Sequence, residues 1–416
     1  MKVLFLCGGI GKRMFPLTED KFLLKFLGKT LLEHQLDTAQ KAGLRRFIIV
    51  ANPNNIARIE GIAMRYPKAK FEFIVQEKPL GIADALGNAK RLLKDEILLV
   101  NPNDVFENTV YNNLLAACKK EKSTAFITGY KVSSYFPGGY LVVNEDGGLI
   151  RILEKPGKGN EPSDMVNILA HLHPYPDKLL HSISQVKTNE DDVYEQAIDA
   201  MCKAGCAIKV VPYTDTWTPI KYPWHVLDVV RYFLDRAETC ISPDAHISEY
   251  AVVDGKVVIE EGVRVLENAV VRGPVYIGRN TVIGNSTLVR SYSHLGADCV
   301  VGFSTEIKGS YVGDGTQFHM NYAGDSVIGV QCSFGAGTVT ANWRFDTKTI
   351  QVKVGDTMID TGKDKLGAFI GDNCRTGIQV GIMPGVRIGN NAVIYPHVNL
   401  TNDVGVDTMV HNNSPQ

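Results

Sequence analysis

The first residues able to do chemistry lie almost at the start of the chain. In LFLCGGIGKRMFPLTEDK, residues 4–21, an apolar run is followed by Gly8, Gly9 and Gly11, then by Arg13 and Lys21. Glycine lets the backbone turn sharply and approach a ligand without side-chain interference. Exposed N–H groups in such a turn make a concave anion site. Arg13 and Lys21 bring full positive charges to the same anion, for which a triphosphate is the obvious candidate. The plainer reading is a glycine-rich turn beside a solvated arginine.

These residues must be positioned by elements, and the chain has two grammars for building them. Up to about residue 238, KVLFLC, RRFIIVA, KFEFIVQ and EILLVN read as strands, alternating with helical patterns such as TLLEHQLDTAQKAG and GIADALGNAKRLLK. That alternation predicts a mostly parallel α/β sheet of the nucleotide-binding, Rossmann-like kind, with ligands beyond the carboxyl ends of its strands. After residue 240 the apolar period becomes six: Ile241, Ile247, Val253, Ile259, Val265, Val271, Ile277, Ile283, Val289, Leu295, Val301 and Ile307. The same spacing returns at Ile382, Ile388, Ile394 and Leu400. A period of six suits neither a helix nor an amphipathic strand. It fits a triangular coil, the left-handed parallel β-helix of hexapeptide repeats, in which each short face points one aliphatic residue inward. The expected domains are 1–221 and 241–416, joined by a helical connector at 222–240.

Composition narrows the class. The chain has 416 residues, 44% of them hydrophobic and 21% charged, with a formal net charge of −1. Near-neutral charge removes the electrostatic argument for nucleic acid or an anionic membrane. No apolar stretch approaches the roughly 20 residues that span a bilayer, and MKVLFLCGGIG is too short in its apolar core for a signal peptide. The eight cysteines are scattered without zinc or disulfide spacing. A cytoplasmic protein with reduced thiols is expected.

GGIGKRMFPLTEDK followed by GKTLLEHQL resembles the signature of the sugar-1-phosphate nucleotidylyltransferases. The resemblance continues in family order through QEKPLGIADAL at 76–86, NPNDVF at 101–106, GGYLVVNEDGGLIRILEKP at 138–156 and YPWHVLD at 222–228. It implies that Arg13 and Lys21 bind and polarise the triphosphate, that Gln76 and Gly81 meet the base, and that Asp104 holds Mg2+. It assigns Gly139, Glu154, Lys155 and Asn167 to the sugar and its phosphate. The implied reaction is attack of a sugar phosphate on the α-phosphorus of a nucleoside triphosphate, releasing pyrophosphate. Both reactants are anions, so positioning and charge neutralisation carry the catalysis. The sequence departs from the signature at Lys12, Asp20 and Asn103. Above all, in DTWTPIKYPW the family's second metal-binding aspartate is replaced by Pro219 and its following glycine by Lys221.

The second half is similar to the acetyltransferase domain of the bifunctional N-acetylglucosamine-1-phosphate uridylyltransferases of archaeal type. The motifs are FHMNYAGDSVIG at 318–329, SFGAGTVTANWRFDTK at 333–348 and KLGAFIGDNCRTGIQVGIMPGVRIG at 365–389. The resemblance makes His319 the catalytic histidine, with Tyr322, Asn342 and Lys348 at the substrate. Arg290 and Lys308 would bind the sugar phosphate, and Ala368 would contact acetyl-CoA, the cosubstrate. Three hexads make one turn, so Arg290 and Lys308 stand one coil apart in equivalent positions. A histidine suits the proton removal that an attacking amine requires near neutral pH. The plainer reading is a surface histidine among solvated cations. Family coenzyme sites lie between subunits, which implies a homotrimer or a dimer of trimers. Three functions stay open on the sequence: a bifunctional UTP- or dTTP-dependent enzyme, a nucleotidylyltransferase with an assembly platform, or a regulatory protein that binds nucleotide sugars.

Overall fold

A computed structural model of the chain describes residues 1–188, 190 and 192–412. It has two compact units that are not continuous in sequence. One comprises Met1–Ile10 and Leu31–Trp217, the other Gly11–Thr30 and Thr218–Gln416. The segment 11–30 was expected in the first domain, yet it packs in the second unit, where Phe26 meets Phe233.

The first unit is built on a nine-stranded sheet. Its strands are β1 Lys2–Leu6, β2 Arg46–Ala51, β3 Lys70–Val75, β4 Ile97–Val100, β5 Ala125–Lys131, β6 Gly139–Val143, β7 Leu149–Glu154, β8 Met165–His173 and β9 Ile208–Tyr213. The order β7-β6-β8-β4-β1-β2-β3 forms the main path, and β5 pairs with both β8 and β9. The patterns read as strands at 2–7, 45–51, 70–76 and 96–101 form β1 to β4, parallel neighbours of one another. The sheet is mixed rather than mostly parallel, because β8 runs antiparallel to β4, β5 and β6. The apolar runs of β1, β2 and β4 are buried, with Val3, Leu4, Phe5, Ile48, Ile49, Leu98 and Leu99 fully covered, as expected for strands with elements on both faces, whereas β3 at the sheet edge is only partly covered.

The second unit holds the left-handed β-helix. Three parallel sheets of eight, nine and eight strands form its faces, each strand only two or three residues long over most of its length. Hexad residues stack in columns, with Ile259 on Ile277 on Leu295, and form one continuous core from Val257 to Val410. Asn280, Ser286, Tyr292, Asp298 and Ser304, six residues apart, take positive φ at successive corners. The column step shortens beyond Leu295, whose next partner is Val312, followed by Ile328. From Ile328 the column jumps to Ile370, accommodating an insertion with the antiparallel hairpin Gln351–Val354 and Thr357–Asp360. The expected connector forms the helix His225–Arg236 of the same unit. At the open end the hexad reading weakens, since Ile241 is 43% exposed.

Candidate active sites

In the first unit, Gly8 lies beyond β1 against Gln76, and a side chain there would strike Gln76 Oε1. The Gln76 side chain is buried and donates through Nε2 to Asp84 Oδ2 at 2.7 Å and to the Gly81 carbonyl at 3.2 Å. Gly81 itself has φ +90 and begins the helix Ile82–Ala89, a conformation that favours glycine. Gly9 is exposed with open space around its Cα. Asp104 is buried, and its two carboxylate oxygens accept from Trp217 Nε1 at 3.2 Å and Asn101 Nδ2 at 3.1 Å. Tyr130 and Phe136 pack on the Trp217 indole and hold it in place. Asp215, the acid nearest in sequence to the missing family aspartate, is exposed and accepts from Thr109 at 2.7 Å.

Among the described residues no three His, Cys, Asp or Glu side chains gather to hold a metal by themselves. The buried Asn103 Oδ1, next to Asp104 in sequence, has no hydrogen-bond partner among those residues. The Asp104 carboxylate and the orphaned Asn103 amide oxygen are hard-oxygen donors on neighbouring residues of the chain. They fit Mg2+, which completes its shell from phosphates and water.

The sugar-phosphate candidates occupy three adjacent strands. Glu154 ends β7 opposite Gly139, which begins β6. A Cβ at Gly139 would lie 3.2 Å from Glu154 Oε2. Lys155 pairs with Glu154 at 2.9 Å and takes a positive φ of 44°. Asn167 sits on β8, where Val166 pairs with Tyr140 of β6.

Arg13 and Lys21 belong to the second unit. Arg13 is exposed on the short turn Lys12–Met14, and Lys21 opens the turn Lys21–Leu23. Gly11 lies beside Lys21, whose Cε would be 3.7 Å from an added Cβ. His225 accepts the Lys221 backbone N–H at 3.0 Å. Burial, then the charges of Lys363, Lys221 and Lys21, push His225 down to about 3. Lys363 pairs with Asp228 at 2.6 Å. The imidazole is therefore neutral and faces three ammonium groups.

On the β-helix, Leu288–Val289, Glu306–Lys308, Tyr322–Gly324 and Val339–Thr340 are successive strands of one face. Arg290 follows the first of them and stands one coil from Lys308. Each cation has a carboxylate: Arg290 pairs with Glu306 at 2.8 Å, and Lys308 with Asp325. Asp325 Oδ2 also accepts from Asn342 Nδ2 at 2.6 Å, and that nitrogen donates to the Tyr322 hydroxyl at 3.1 Å. Burial first, then Asp325 and Glu306, push the Tyr322 phenol up, so it remains protonated. His319 is exposed on the loop after Gln317–Phe318, with its backbone N–H held by Asn321. Lys348 is exposed and lies outside this network, beside Asp346. Ala368 is fully buried in the core. Its N–H donates to Ser326 Oγ and its carbonyl accepts from Val327, so both of its backbone groups are engaged inside the chain.

A family pattern described as nucleotidyl transferase matches residues 2–217, and the bacterial transferase hexapeptide pattern matches 256–291 and 367–402. The chain is 37% identical to the bifunctional protein GlmU of Methanococcus maripaludis, over 99% of this chain and 97% of that one. The chain belongs to the bifunctional sugar-1-phosphate nucleotidylyltransferase/acetyltransferase family. It is also 34% identical to the family member of that name from Sulfurisphaera tokodaii, over 97% of this chain and 98% of the other. Against the GlmU protein of Methanocaldococcus jannaschii the identity is 33%, over 99% and 97% of the two chains.

Against this family background, the sequence reading overlooked the residues that act through others. Trp217 lies in the DTWTPIKYPW motif with nothing in its type to mark a role, although it donates to Asp104. Glu306 and Asp325 were passed over, although they pair with the two expected phosphate-binding cations. Asp325 lies three residues after Tyr322 inside the interrupted repeat, a signal that was available. Asn101 carried no signal beyond its nearness to Asp104, and Asn103 stood out only as a departure from the family signature.

Proposed function

We propose that this chain catalyses two consecutive reactions on an amino-sugar 1-phosphate. At the β-helix, the amine attacks the acetyl-CoA carbonyl carbon, the C–S bond breaks, and coenzyme A leaves as the thiol. His319 takes the amine proton. Arg290 and Lys308, held in place by Glu306 and Asp325, receive the substrate phosphate, and Tyr322 and Asn342 orient the sugar. In the second reaction a phosphate oxygen of the acetylated sugar attacks the α-phosphorus of UTP or dTTP, and the bond to pyrophosphate breaks. Arg13 and Lys21 neutralise the triphosphate, Gln76 and Gly81 face the base, and Gly139, Glu154, Lys155 and Asn167 hold the sugar phosphate. Asp104 and the Asn103 oxygen would hold Mg2+, which when bound would supply charge neutralisation at the phosphates.

The observation that carries this reading is the joined Lys308–Asp325–Asn342–Tyr322 network on a single β-helix face, with Arg290–Glu306 beside it. A platform needs no such polar assembly. Exposed apolar side chains along the β-helix, including Phe303, Met320, Val339, Trp343 and Phe345, support assembly through it as a trimer. Incubation with acetyl-CoA and glucosamine 1-phosphate, then separately with UTP or dTTP and N-acetylglucosamine 1-phosphate, tests both halves. Lys21→Ala is expected to cut pyrophosphate release by about 10² or more and leave acetyl transfer unchanged. Loss of both activities together overturns the division of labour, and a monomer in sedimentation overturns the trimer.

A further inference from the structure

Behind Asn167 lies a buried polar chain that the proposed chemistry does not use. Asn167 Oδ1 is 2.6 Å from His171 Nε2, His171 Nδ1 is 2.6 Å from the Tyr194 hydroxyl, and that hydroxyl is 3.0 Å from His173 Nε2. His171, His173 and Tyr194 are at most 1% exposed. Tyr194 comes from the helix Val193–Lys203, and the histidines come from β8. The β8–β5 register shifts between Ile168 and His171, and Asn167 and His171 meet across that irregularity.

We infer that Tyr194, His171 and His173 are positioning residues that lock the Asn167 side chain with its oxygen inward, so that its NH2 group faces the sugar phosphate. This rests on the proposed place of Asn167 in the sugar-phosphate site. An amide oxygen only accepts, so His171 Nε2 carries the proton and donates. A neutral imidazole has one N–H, so His171 Nδ1 accepts from the Tyr194 hydroxyl, whose oxygen accepts in turn from His173 Nε2–H. Burial holds His171, also beside His173, well below the ordinary imidazole value and pushes His173 down to about 4. Both rings are therefore neutral at working pH, and all donors in the chain point toward Asn167.

The Asn167 Nδ2 group has no hydrogen bond among the described residues, and the residue is only partly buried. It is a donor held ready for an oxygen that accepts, either a phosphate oxygen or a sugar hydroxyl. A flipped amide would offer its carbonyl to the anion instead and repel it. Orientation at this position thus decides between attraction and repulsion for an acceptor-rich substrate.

The test is a double-mutant cycle on the full chain, read as KM and kcat for N-acetylglucosamine 1-phosphate with saturating UTP. Asn167→Ala is expected to raise that KM about tenfold, and Tyr194→Phe about fivefold, with the UTP KM unchanged in both. In the Asn167→Ala background Tyr194→Phe is expected to add nothing, because its effect passes through Asn167. If Tyr194→Phe lowers the melting temperature, His173→Phe, which keeps a ring and removes the last donor, takes its place with the same expected pattern. An equal effect in both backgrounds, or none in the wild type, overturns the positioning role while the sugar-site assignment stands. No change on Asn167→Ala alone overturns the sugar-site assignment and the inference together.

Discussion

Asp104 and Trp217 stand 113 positions apart in sequence and are joined by an indole N–H···carboxylate hydrogen bond of 3.2 Å. A buried carboxylate held in one orientation can meet a cation without first reorganising. Partners that orient ligands typically contribute about 10–100-fold to metal affinity or activity. Trp217→Phe retains an aromatic ring against Tyr130 and Phe136 and removes the donor. The expected outcome is a rise of about tenfold in the Mg2+ concentration giving half-maximal pyrophosphate release. An unchanged Mg2+ titration would show that Trp217 only fills space.

Pro219 and Lys221 make a second prediction about charge. Lys221, with Lys363 and Lys21, acts electrostatically on His225, so the lysine replacing the family glycine lies in the same cationic cluster as Lys21. It is expected to perform part of the neutralisation that a second carboxylate-bound cation performs elsewhere in the family. Lys221→Gly should therefore raise the Mg2+ requirement several-fold. Pro219→Asp should lower it, because a restored carboxylate favours metal capture. Titrations of Mg2+ against initial rate for the three proteins decide the point, and two flat responses would sink it.

The β-helix site separates a proton-transfer role from a positioning one. His319→Ala is expected to lower kcat for acetyl transfer by about 10²–10⁴, the usual range for losing a general base. Asp325→Asn tolerates the same positive φ and removes the charge that holds Lys308. It should raise KM for glucosamine 1-phosphate about tenfold and move kcat little. Equal kcat losses in both variants would refute this division.

Acid sensitivity follows from three buried histidines, of which His171 is held well below its ordinary value by burial. His173 is pushed down to about 4 and His225 to about 3, both from an ordinary value of 6.5. Because the folded values are depressed, the unfolded chain binds more protons below about pH 6.5. The stability they contribute is complete above that pH and is lost progressively as pH falls toward 4 and 3. Each histidine contributes a slope of at most about 1.4 kcal/mol per pH unit in that window. Melting temperatures are expected to be flat from about pH 7.5 to 6.5 and to fall below that range. His225→Gln should reduce the fall, and an identical profile for the variant would refute the assignment.

The division between what sequence determined and what required the fold follows the range of the interactions. Hexad residues such as Ile259, Ile277 and Leu295 declare the β-helix because a coil repeats its environment locally, so one turn's rule appears in every turn. The strands Lys2–Leu6 and Ile97–Val100 were legible for a similar reason, since their continuous apolar runs satisfy a doubly covered sheet. The 18-residue spacing of Arg290 and Lys308, the length of one regular coil, put them in equivalent positions, while the family resemblance supplied their proposed role. The antiparallel placement of Met165–His173 was not legible, because strand direction depends on long-range pairing and leaves no periodic trace. The same is true of Trp217 beneath Asp104 and Tyr194 between two histidines. Each hydrogen bond joins distant segments whose side chains meet only when the sheet and its helices have packed. Short-range periodicity marked out the architecture and family motifs named the candidate residues, whereas the groups that orient those residues were decided by tertiary contact.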